Sequence, residues 1–112
     1  MKTYIKVKNQ FEGIHCYKNA PESASFLRSP HRHIFYVTTK ISVTHDDREL
    51  EFFIVKHRII ELLSEVVNEL GINMSCEQIA KSLITKLQSI YGNRYYQVEV
   101  SEDNENSAVV EV

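Results

Sequence analysis

The sequence predicts an α+β domain, an antiparallel sheet with two amphipathic α-helices packed on one face, in ββ-αα-ββ order. Three observations point there. Apolar and polar residues alternate at 3–9 and again, most cleanly, at 33–44. The period then lengthens to that of a helix between Ile59 and Tyr91. Alternation returns from Tyr96 onward. At 112 residues the chain is sized for one domain, 1–112, with no internal repeat or low-complexity tract.

Each element has its own warrant. Ile5 and Val7 share one side of the first strand, and Tyr4, Lys6 and Lys8 share the other. A continuation through Phe11–Cys16 would pass Gly13, where a bulge is expected. Residues 17–30 hold two Pro and three Ser and read as a long loop, with room for one helical turn after Pro21. Phe35, Val37, Ile41 and Val43 form one side of the next strand. His45-Asp46-Asp47-Arg48 reads as a turn, and Leu50–Val55 as a returning strand of the same hairpin. On that reading the second sheet face is apolar and calls for cover from another subunit. Ile59, Leu63, Val66, Val67 and Leu70 trace a helix stopped by Gly71. Ser75 and Gln78 form a capping box for a second helix that ends at Gly92. Tyr96, Val98 and Val100 make a strand, 102–107 an acidic turn, and Ala108–Val112 a last short strand.

Composition removes several function classes. Thirteen basic and fifteen acidic residues leave a formal charge of -2, which argues against binding a nucleic-acid polymer. Two Cys, at 16 and 76, make no disulfide framework and suggest reduced thiols. No apolar run approaches the ~20 residues of a membrane helix, and the first residues alternate where a signal peptide would have an apolar stretch. The expectation is a cytoplasmic protein without membrane contact. A domain this small has much surface per unit volume, so a homo-oligomer is expected.

Three constellations could carry chemistry. His31 and His33 are alternate residues of one strand and point to the same side. With His15 on a paired strand they would make a three-imidazole site suited to zinc with an open fourth position; the competing reading is three polar residues at a loop edge. Arg28, Arg32 and Arg48, with Arg94 ahead of Tyr95 and Tyr96, could hold an anionic small molecule; alternatively they pair with neighbouring carboxylates. Glu102 and Asp103 open the 101–107 run, where Glu102 at a strand end could accept hydrogen bonds from a heterocycle. The same run could be a solvated hairpin tip. Cys16 beside His15 is a poor nucleophile–base pair, because strand neighbours face opposite sides. No Gly-rich phosphate loop, GxSxG or HExxH occurs.

Two resemblances follow from these motifs. Phe11-Glu-Gly-Ile-His15, His31-Arg-His33-Ile-Phe-Tyr-Val, Leu50–Lys56, Ser75–Ala80 and Val98–Glu102 together resemble the 6-pyruvoyl/6-carboxy-tetrahydropterin synthases. The resemblance covers most of the chain. It implies the tunnelling fold, a ring of subunits, zinc on His15, His31 and His33, and Glu102 as pterin anchor. Two parts of that pattern are missing: no Cys lies in Phe26–Pro30 and no Asp-His pair follows the first helix. The acid/base machinery of those enzymes is therefore missing, and a zinc-dependent synthase-like lyase using His15, His31 and His33 stands as the alternative reading. The runs His15–Glu22, Phe26–His33, His45–Phe52 and Ser101–Ala108 resemble a phage family, the Thoeris anti-defence proteins of the first type. That resemblance implies a non-enzymatic sponge, free of cofactor and metal, in the bacterial host's cytoplasm. It would sequester a TIR-derived cyclic ADP-ribose isomer through Arg28, Arg32, His33, Arg48, Arg94, Tyr95, Glu102 and Asp103, and the resemblance extends to cyclic oligonucleotides at a separate site in some members.

Overall fold

Strands β1 (Thr3–His15), β2 (His31–Val43), β3 (Tyr96–Glu102) and β4 (Asn106–Glu111) form one antiparallel sheet in that spatial order. The computed structural model describes residues 1–112. Between β1 and β2 lies a 3-10 segment, Glu22–Arg28, kinked at Ala24. Between β2 and β3 come helices α1 (Phe52–Leu70) and α2 (Cys76–Tyr91). Helix α1 rests on β1, and α2 on β3 and β4.

The core lies between the helices and one sheet face. Val7, Phe35, Val37, Ile41, Tyr96, Val98 and Val100 come from the strands. Val55, Ile59, Leu62, Leu63 and Val66 come from α1, and Ile79, Leu83 and Leu87 from α2. Gly71 (φ 74°) and Gly92 (φ 85°) stop the helices in the left-handed region that Gly enters without steric cost. Ser75 and Gln78 form the reciprocal capping box.

Four expectations are corrected. Leu50–Val55 is not a strand: α1 begins at Phe52, and Val55 belongs to its buried stripe with Ile59, Leu62 and Val66. The Glu51 carboxylate accepts from the Phe53 and Ile54 amides and so caps the helix start. The sheet face away from the helices therefore has no apolar strand on it. It carries Tyr4, Lys6, Lys8, Thr38, Lys40, Gln97 and Glu99, with the Lys40 ammonium 4.3 Å from the Tyr4 ring centre. No bulge interrupts β1, since its register runs unbroken from Thr3↔Val43 to His15↔His31. Gly13 serves close approach instead: a Cβ there would lie 2.9 Å from the Phe35 ring. The last strand begins at Asn106, two residues before Ala108.

Candidate metal centre

The register of the β1–β2 pair builds the site. His15 lies directly across from His31, and His33 lies across from Gly13. All three imidazoles thus reach the helix side at one end of the sheet. Their ligand atoms lie within 4.8 Å of one another. The rings meet edge to face, with centres 4.6 Å (15 and 31), 5.1 Å (15 and 33) and 4.9 Å (31 and 33) apart. Phe35, fully buried, closes the floor 5.2 Å from the His15 ring.

Each imidazole is tied from outside by its Nδ1. His15 Nδ1 lies 2.8 Å from the Met74 carbonyl, His31 Nδ1 2.9 Å from the Ser29 carbonyl, and His33 Nδ1 2.6 Å from Asp103 Oδ2. A carbonyl or carboxylate oxygen only accepts, so every Nδ1 carries the proton. In the neutral ring the Nε2 lone pair is then free. His15 and His33 Nε2 are buried with no hydrogen-bond partner. Buried polar atoms left unpaired are costly, and two such nitrogens beside a third imidazole fit a divalent cation. His15, His31 and His33 would hold the ion, and the cleft side would be open to a further ligand. The donor set, three imidazoles with outer acceptors, matches the second shell usual for bound zinc.

Carboxylates and a thiol complete the surroundings. Glu102 ends β3 with Oε1 3.5 Å from His15 Nε2 and Oε2 3.3 Å from His33 Nε2. The Cys76 thiol points at Glu102 Oε1 across 3.7 Å. Burial, reinforced by the Glu102 charge, pushes the Cys76 thiol up to about 12. The hydrogen bond to His33, with the Ile34 amide and the Arg32 charge, holds Asp103 below the usual carboxylate range. Beside His15, His31 and Glu102 opens a cleft of about 980 Å³, within the size range of small-molecule sites. Lys18, Asn19, Asn73, Ser75, Gln78 and Asn106 give it a polar lining.

Of the residues expected to bind an anion, only His33, Glu102 and Asp103 come together here. Arg28 donates to the Ala20 carbonyl through Nε and Nη2 and braces the 16–30 loop. Arg32 faces the opposite side of β2 and pairs with Glu12. Arg48 pairs with Asp47 in an exposed loop. Arg94 grips Glu49 with two bonds, 3.1 and 2.7 Å, and also the Ser42 and Tyr91 carbonyls. Tyr95 donates to Glu111 on the polar sheet face. Nine residues of strand, about 30 Å, separate His33 from Ser42, so Arg94 and His33 do not share a pocket within one chain. The Met74 and Ser29 carbonyls are backbone acceptors with no sequence signature, and Cys76 reaches Glu102 only through the packing of α2 on β3.

Scans of the sequence against family models and against curated proteins return no match.

Proposed function

We propose that this chain is a zinc-binding protein that holds a polar heterocycle in the cleft beside His15, His31 and Glu102. The carrying observation is the Nδ1–H contact of all three imidazoles to an oxygen acceptor, with the Nε2 atoms of His15 and His33 buried and without a hydrogen bond. Bound zinc would act as a Lewis acid toward an oxygen or nitrogen of the ligand. Glu102, one-third exposed, accepts from N–H groups on the heterocycle, as the resemblance to pterin synthases implies. The reading is of a binder and not a lyase. Burial and the Glu102 charge keep Cys76 a thiol, which is a poor nucleophile. Leu27 and its neighbours supply no Cys in its place.

A second reading is sequestration of a TIR-made cyclic ADP-ribose isomer. The size of the cleft and the lack of an activated nucleophile favour it. Lys18 is the one Lys or Arg lining that cleft, so a pyrophosphate would need a cation from a second subunit. Self-association belongs to both readings. Phe52, Phe53 and Ile54 are 57–68% exposed at the start of α1, and β1 and β4 are free edges. Light scattering should give a multiple of 13.1 kDa.

The test is ligand recovery. The zinc-loaded protein is incubated with pterins, or with cyclic ADP-ribose isomers, then heated, and the released small molecules are weighed by mass spectrometry. Recovery of an unaltered pterin, with loss of binding in Glu102→Gln, supports the main reading. Recovery of unaltered cyclic ADP-ribose supports the second. A chemically changed ligand contradicts both.

A further inference from the structure

The three imidazoles are not held alike. His15 and His31 donate to neutral carbonyls, whereas His33 donates to a carboxylate, across the shortest of the three contacts. A carboxylate partner raises imidazole basicity and fixes ring orientation more firmly than a carbonyl does. Asp103 is itself built in. Its Oδ1 accepts from the Ile34 amide at 2.9 Å, and its own amide donates to the Ile34 carbonyl at 2.8 Å. These two bonds extend the β2–β3 pairing one step beyond Phe35↔Glu102. To make them, Asp103 takes φ 53° and Asn104 φ 60°, left-handed values that Asp and Asn tolerate better than other non-Gly residues. The hairpin tip that reads in sequence as a solvated acidic turn is thus folded back onto the histidine cluster.

We propose that Asp103 is the positioning residue of the metal centre. It fixes the orientation of the His33 ring, so that Nε2 stays aimed into the cluster. The inference rests on the zinc reading above and goes beyond it by assigning the turn a task.

The test compares wild type, Asp103→Ala and Asp103→Asn in chelator competition for zinc and in the visible spectrum of the cobalt(II)-loaded protein. Asn accepts the left-handed backbone but has a single acceptor oxygen and no charge, so it separates folding from ligand positioning. Both variants should bind zinc about 10–100-fold more weakly than wild type. Their cobalt bands should shift while the far-ultraviolet circular dichroism stays the same. If the Ala variant fails to fold, the Asn variant decides alone. Zinc affinity within twofold of wild type in Asp103→Asn, with unshifted cobalt bands, overturns the inference and leaves the metal site standing. A wild-type protein that takes up no metal overturns both.

Discussion

Cys76 shows how one residue's surroundings decide its chemistry. It lies beside His15 and Glu102 in a polar cleft, where a nucleophile would be well placed, yet burial and the nearby carboxylate keep it a thiol. Iodoacetamide at pH 7.5 should therefore modify Cys76 far more slowly in the folded protein than in guanidinium. Peptide mass mapping checks this, and equal rates would contradict it. The three histidines were legible as a group because an HxH on a strand has one geometric consequence. Their partners were not, because the Met74 and Ser29 oxygens belong to the backbone. The arginines misled for a different reason. Arg48 pairs with its sequence neighbour Asp47, whereas the Glu49 that Arg94 grips lies 45 positions away and is supplied only by folding.

The strands and helix ends were largely readable, the start of α1 was not. Leu50–Val55 is a short apolar run, and such runs do not distinguish a strand from a buried helix turn. Only the spacing of Val55 to Ile59, Leu62 and Val66 marks it as helix, and Glu51 is an unusual cap. The capping box at Ser75 was legible because both halves of the pattern are side chains. Ser75→Ala should cost about 1 kcal/mol in urea denaturation. Gly13 matters more to the site. Gly13→Ala forces a Cβ to within 2.9 Å of the Phe35 ring that floors the histidine cluster. We expect a loss of roughly 1–3 kcal/mol, by the overpacking rule, together with weaker zinc binding. Unchanged stability and unchanged zinc affinity would show that the floor yields freely.

At the scale of the whole molecule, the long β1–β2 pair sets the shape. The chain extends 50 Å along its longest axis, and its radius of gyration is 15.0 Å, against about 13 Å for a globular domain of this length. The two ends of that pair are held differently. At one end Arg94 and the Thr44 amide draw Glu49 down to about 2 from an ordinary 4.5. A depressed acid stabilises the fold above its unfolded pKa and loses that contribution as pH falls through the folded value. Stability should decline between about pH 4.5 and 2, and Glu49→Gln should flatten part of that slope in denaturation series. A variant with the wild-type slope would show that the Arg94 contact is energetically idle. At the other end the histidine cluster has no such salt bridge to Arg or Lys; its rings are held through Nδ1, and the proposed zinc would tie them on the inner side. The direct measurement is zinc content by elemental analysis of protein purified without added chelator, alongside His33→Ala. The expected result is one zinc per chain in wild type and a large loss in the variant. Metal well below one equivalent after reconstitution, or equal zinc in His33→Ala, would contradict the account.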